Sequence, residues 1–201
     1  LAELGDIDDA MRCYFPFRKK MEWAEFCTWM AEFADSPADP KDKKTGTPAV
    51  FPSIYQKDAE TREAAFVQYN SNWMAFDIDD TVAFDDMLAF LKLLDCPYFL
   101  HTTTKHSLNK PRLRVIFHTN NEVDPDDWPK VWANMDAMFR AQFNDLPAVT
   151  DPKTRNINRI FYIPRKWNGT PAQYEYKQDG TPLDIWRIVE KFGIDPAEMQ
   201  K

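Results

Sequence analysis

The chain predicts an α+β domain: an antiparallel or mixed sheet with helices on one face, preceded by a helical extension. Three observations carry that expectation. From residue 73 onward the apolar pattern reads strand, helix, strand, strand, helix, strand. The two middle strands, Tyr98 to Thr103 and Leu113 to His118, are separated by the turn signal Leu108-Asn109-Lys110-Pro111. A doubly wound parallel sheet would need a helical crossover there. Finally, 44% of the 201 residues are hydrophobic and 14% aromatic, enough to build the core of one ordinary domain.

The elements follow in order. Arg18 to Ala34 places Met21, Trp23, Phe26, Cys27, Met30 and Phe33 at helical spacing. Asp35 to Pro48 is rich in Pro, Lys and Asp and reads as an exposed loop. Ala49 to Tyr55 is a short strand interrupted by Pro52, and Asp58 to Ala65 a weak helix. Trp73 to Ile78 is a strand, and Phe84 to Leu94 a helix with Met87, Leu88, Phe90, Leu91 and Leu94 apolar. After the strand pair, Asp126 or Asp127 caps a helix that runs to about Phe143. Arg159 to Ile163 and Gln173 to Lys177 are strands, and Leu183 to Phe192 is a final helix stopped by Gly193. This order suits RRM-like or ferredoxin-like cores. Residues 1–72 read as an N-terminal extension packed on a core of residues 73–201, the two forming one compact unit.

The chain opens on Leu1, which points to a piece of a longer protein. No apolar run is long enough to span a bilayer, and no signal peptide is legible. Cys13, Cys27 and Cys96 lie far apart, so neither a disulfide framework nor a zinc site is expected. The net charge of -7 disfavours a general nucleic-acid coat, yet the charge is unevenly spread. Lys105 to Thr119 holds Lys105, Lys110, Arg112 and Arg114 without an acid, and Lys153 to Lys166 likewise holds only bases. Acids cluster at Asp77–Asp86 and Glu122–Asp127. An acidic site between basic segments suits a nucleotide or polynucleotide phosphate, and a mixed solvated surface accounts for it equally well.

Trp73-Met74-Ala75-Phe76-Asp77-Ile78-Asp79-Asp80 is an apolar strand that ends in acids. Residues two apart on a strand share a face, so Asp77 and Asp79 present neighbouring carboxylates. Such like charges need a compensator, and a hard divalent cation is the usual one. A strand end capped by solvated acids is the plain alternative, disfavoured by the depletion of acids within strands. Arg112 and Arg114 also share a face, opposite Leu113 and Val115, and paired guanidinium groups suit a triphosphate or a backbone. A half-exposed edge strand explains them as readily. His106, beside Lys105, is a donor for phosphate oxygens, whereas His101 is expected to face the core or a neighbour. Asp151 is a lone acid between an apolar and a basic run. Beside Asp77 and Asp79 it would complete a two-metal cage, with ions about 3.5–4 Å apart. Its Asp-Pro sequence also suits a simple turn.

The string Phe76-Asp77-Ile78-Asp79-Asp80-Thr81-Val82 resembles the first motif of haloacid-dehalogenase-type phosphatases, with Asp77 as nucleophile, Asp79 as acid/base and Thr102 or Thr103 imitating the second motif. That reading lacks a later apolar strand ending in paired acids, and it calls for a Rossmann-like sheet opened by this strand. The ordered set resembles instead the archaeo-eukaryotic primase superfamily, in its phage and plasmid primase or primase-polymerase branch. The carrying motifs are the strand ending in Asp77/Asp79, the small-x-His motif Thr104-Lys105-His106, and Asp151. Thr103-Thr104-Lys105-His106-Ser107-Leu108-Asn109-Lys110-Pro111-Arg112-Leu113-Arg114-Val115 is similar to that branch's Ser-His-Thr-x-x-Lys-Pro-Arg-x-Arg-Val pattern. The resemblance covers roughly Trp73 to Pro164. Departures are Thr as the small residue, polar Thr150 before the third acid, and no zinc-binding or helicase module.

The resemblance implies template-directed nucleotidyl transfer. Asp77, Asp79 and Asp151 would hold two Mg²⁺ or Mn²⁺ ions. His106 would contact the incoming nucleotide's phosphates, helped by Lys105, Arg112 and Arg114, and Arg159 would hold phosphate or template. Expected partners are a single-stranded DNA template, nucleoside triphosphates and a helicase on the same or a separate chain. The expected setting is phage or plasmid replication in the cytoplasm of a bacterial or archaeal host, with no membrane partner. A non-catalytic single-strand-binding module is the remaining alternative.

Overall fold

The computed structural model describes residues 2–3, 17–18, 21–34, 36, 49–56, 59, 63–143, 149–166 and 170–197. The expected loop from Asp35 to Pro48, Ser36 apart, and half of the weak helix from Asp58 to Ala65 lie outside them. Cys13 does too, while Cys27 and Cys96 are free and buried, their thiols pushed up by burial to about 12 and about 11.

Two short strands, β1 (Ala2–Glu3) and β2 (Phe17–Arg18), pair with each other. Helix α1 (Trp23–Ala34) buries Trp23, Phe26, Cys27, Met30 and Ala34 on one side, as the spacing requires. It begins later than Arg18, where Glu25 accepts the Glu22 N–H at 3.2 Å. The expected strand at Ala49 to Tyr55 is split into β3 (Ala49–Val50) and β4 (Ser53–Tyr55), because Pro52 has no N–H for a ladder. β5 (Val67–Asn70), which the apolar pattern does not predict, pairs with β4. Then come β6 (Trp73–Asp79), α2 (Phe84–Leu94), β7 (Tyr98–Thr102), β8 (Arg112–His118), α3 (Trp128–Gln142), β9 (Phe161–Tyr162), β10 (Tyr174–Lys177) and α4 (Ile185–Phe192). Asp127 stands at the start of α3 without making a capping hydrogen bond. Asp184 does cap α4, accepting the Arg187 N–H at 3.1 Å. Gly193 ends α4 in the left-handed region, at φ 63°, with its N–H on Val189 O.

The main sheet has the order β10-β7-β8-β6 and is antiparallel throughout. β6 and β7 flank β8, joined through α2. The fourth strand is β10, on the free edge of β7. β9, expected as a sheet strand, pairs with β3 instead. On the free edge of β6 a single bridge joins Ile78 to Thr150.

Alternation along the strands divides the core. Met74, Phe76, Ile78, Leu100, Leu113, Val115 and Phe117 face α2, α3 and α4. Trp73, Ala75, Phe99 and Ile116 face α1 on the opposite side. Helices therefore cover both faces, the second by way of the N-terminal stretch. Each fully buried large side chain contributes about 1.5–3 kcal/mol of apolar transfer. No helix among the described residues is long and apolar enough to cross a membrane.

Candidate functional site

α1 covers only part of its sheet face. Further along the same strands, on the same face, the residues become charged: Asp77 and Asp79 on β6, Arg112 and Arg114 on β8, His101 on β7. The antiparallel register sets Asp77 opposite Arg114 and Asp79 opposite Arg112, while Arg114 also faces His101. Two opposite-charge cross-strand pairs thus form side by side, each stabilising the ladder.

The two pairs differ in burial. Arg114 Nε donates to Asp77 Oδ1 at 2.6 Å, with side chains only 7% and 10% exposed. A second Arg114 nitrogen donates to the Tyr162 carbonyl, and the guanidinium lies 5.0 Å over the Phe161 ring. Arg112 is more open and forks, one nitrogen to Asp79 at 2.9 Å and the other to Asp80 at 3.0 Å. Asp80 sits at φ 61°, a left-handed conformation that Asp tolerates better than most residues, and its N–H bonds the Pro111 carbonyl. That bend ends β6 and turns the Asp80 carboxylate back to Arg112.

Asp151 reaches the site along the free edge of β6. Its N–H donates to the Asp77 carbonyl at 2.7 Å. The preceding Thr150 donates its hydroxyl to Asp136, an acid buried on α3 that also binds Arg140 at 2.6 Å. Asp151 also caps the turn Pro152–Arg155, accepting the Lys153 N–H at 3.0 Å. The turn role and the site role therefore coexist in one residue. Arg159 lies 3.8 Å from both Asp77 and Asp151, and its Nε has no hydrogen-bond partner among the described residues.

Asp77, Asp79, Arg112, Arg114, Asp151 and Arg159 line one cleft of about 250 Å³, with Lys105 at its side. Burial raises the Asp79 pKa, Arg112 opposes the rise, and the charges of Asp77, Asp151 and Asp80 add to it. His106 is not among the cleft-lining residues. It sits in the turn after β7, where the Arg112 N–H donates to its Nδ1 at 3.1 Å. The neutral ring therefore carries its proton on Nε2, free to donate, and burial holds its pKa below the ordinary value. His101 is the reverse. Its Nδ1 bonds the Thr102 carbonyl at 2.9 Å, leaving Nε2 an acceptor without a partner among the described residues. Burial, then the Arg114 charge, lowers its pKa to about 3.

All three predicted acids and Arg112, Arg114, Arg159 and Lys105 thus meet in one cleft, with His106 beside it. Sequence reasoning missed Asp136, which fixes Thr150 and through it the backbone entering Asp151. Its one signal is an acid four residues before Arg140 on the buried side of a helix. It also missed the Tyr162 carbonyl, which no side-chain pattern announces.

The donor set is hard oxygen, matching Mg²⁺ or Mn²⁺ in kind. Among the described residues, no three His, Cys, Asp or Glu side chains converge closely enough to hold a metal ion as they stand. Guanidinium groups supply the positive charge between the carboxylates.

An antiparallel sheet between two helical layers, opening at one end into an acid-and-arginine cleft, is an α+β domain of archaeo-eukaryotic-primase-like fold. The chain is similar in structure to the AEP domain of the cyanophage S-2L primase-polymerase, with a TM-score of 0.50 and 13% identity over 73% of this chain and 70% of that one. At that identity the likeness speaks to the fold. The chain matches no protein-family model and no curated protein sequence.

Proposed function

We propose that this chain is the catalytic core of a template-directed nucleotidyltransferase, a DNA primase or primase-polymerase. One observation carries the reading: the two carboxylates of the β6 end lie in register with two arginines of β8, and a backbone hydrogen bond brings Asp151 to Asp77. Phosphoryl transfer depends mainly on positioning and charge neutralisation, and acids beside unspent cationic donors suit it.

Asp77, Asp79 and Asp151 would hold the two Mg²⁺ or Mn²⁺ ions, which when bound activate the attacking hydroxyl and stabilise the leaving oxygen. Burial sorts the arginines into fixed and exchangeable. Arg114 is buried against Asp77 and stays to orient it. Arg112 and Arg159 have side chains 27% and 34% exposed, and such pairs are individually weak. They can leave the carboxylates for triphosphate oxygens, joined by Lys105 and by His106 through Nε2–H. Within the N-terminal extension, α1 closes the second face of the core. Single-stranded DNA, nucleoside triphosphates and a helicase on the same or a separate chain are the partners this role requires. The setting is phage or plasmid replication in a host cytoplasm. The phosphatase alternative is weaker, because Asp77, its nucleophile, is held at 2.6 Å by a buried guanidinium in an antiparallel sheet.

The test is incubation with a single-stranded template, Mn²⁺ or Mg²⁺ and labelled nucleotides. The chain makes or extends primers, and Asp77→Asn does not. Synthesis retained in that variant would overturn the assignment. His106→Ala raises the nucleotide concentration required more than it weakens template binding; the opposite pattern moves His106 to the template.

A further inference from the structure

The turn between β7 and β8 carries a feature that nucleotide chemistry does not use. Ser107 and Lys110 close a tight reverse turn by two reciprocal backbone hydrogen bonds, each 3.1 Å. Its base is tied down by Thr103 N–H to Arg112 O, by His106 N–H to Thr103 O, and by Arg112 N–H to His106 Nδ1. At the tip Leu108 is 97% exposed, the most exposed large apolar side chain among the described residues. Neither Leu108 nor Asn109 has a positive φ, so the turn needs no special residue there. A polar side chain would serve the turn and spare the hydration of a full leucine.

The surroundings select the partner. Lys105 and Lys110 flank the tip in sequence, Arg112 follows, and no acid lies between Lys105 and Thr119, in a chain of net charge -7. Lys105 also lines the cleft of Asp77 and Asp79, so the turn stands at the rim of that cleft. A rigid apolar tip between ammonium groups complements a polymer that alternates anionic phosphates with flat apolar faces. In a duplex those faces are stacked on one another, whereas in a single strand they are available.

We propose that Leu108 is a prong that packs against an unstacked base of the single-stranded template, with Lys110 holding the adjacent phosphate. The functional sense of the contact rests on the template-directed reading, but the contact can be measured without synthesis. Single-stranded oligonucleotides carrying 2-aminopurine at successive positions are titrated with the full chain at fixed salt. One position changes fluorescence on binding, Leu108→Ser removes that change and weakens single-strand binding about tenfold, and Leu108→Met restores both. Lys110→Ala lowers the salt-dependence slope by about 0.7, the single-strand value for one phosphate contact. A wild-type chain that binds this way without making primers sinks the catalytic reading and leaves the prong standing. Primer synthesis with Leu108→Ser binding at wild-type strength and no responsive position overturns the prong alone. Equal dependence on Leu108 for blunt duplex also overturns it. Since the side chain is exposed, the variant keeps the wild-type melting temperature.

Discussion

One face of the main sheet holds two regions built from the same three strands. Trp73, Ala75, Phe99 and Ile116 lie under α1, while Asp77, Asp79, His101, Arg112 and Arg114 lie beyond it in the cleft. The alternation is unbroken from one to the other; only the residue types change. The apolar half is closed by a helix and stabilises the fold by burial. The charged half keeps its carboxylates in place with arginines. A sheet that must carry a reactive end can anchor itself at the other end of the same strands, so the site can be electrostatically strained without loosening the fold.

Substitutions at matched positions break that division, and the largest effects come from the buried members of each half. Phe99→Ala opens a cavity and costs about 3–5 kcal/mol. Asp77→Ala costs about as much, because it leaves Arg114 buried without its partner. Calorimetric melting compares them. Comparable losses are expected, whereas a loss under about 1 kcal/mol for Asp77→Ala would show that Arg114 finds solvent.

Next in size is the acid response of His101. Its folded pKa of about 3 lies below the ordinary 6.5, so between those values the unfolded chain binds a proton that the folded chain refuses. Its contribution is whole above about pH 6.5 and is lost as pH falls toward 3, by up to about 1.4 kcal/mol per pH unit. Urea titrations across this window measure the slope, and His101→Phe flattens it.

Smaller still is Thr150→Val. It deletes the hydroxyl bonded to Asp136 at constant shape, costs about 1–3 kcal/mol, and raises the Mn²⁺ concentration needed for synthesis with little change in kcat. A purely structural role would leave the Mn²⁺ dependence unmoved. The smallest effect has the opposite sign. The raised Asp79 pKa makes its stability contribution whole below about pH 3.8 and lost as pH rises through the folded value. Asp79→Asn therefore gains stability at neutral pH, by less than about 1 kcal/mol after solvent screening, while losing synthesis.

The sequence made most of this legible where periodicity is local. The order β6-α2-β7-β8-α3 and the shared faces of Asp77 with Asp79 and of Arg112 with Arg114 follow from alternation alone. Pairing is not local. Nothing in the strand period says that Asp77 stands opposite Arg114, that β10 joins the edge of β7, or that β9 leaves the sheet for β3. The position of α1 on the far face, and of Asp136 behind Thr150, likewise depends on contacts between distant segments.

The proposed role of the charged half of this face is to copy a template. Homopolymer templates test it most directly, with all four labelled nucleotides supplied together and Mn²⁺ present. The expected products contain only the nucleotide complementary to the template and are absent with Asp77→Asn and with Asp79→Asn. Products of mixed composition, no products at all, or phosphate bound to Asp77 would contradict it.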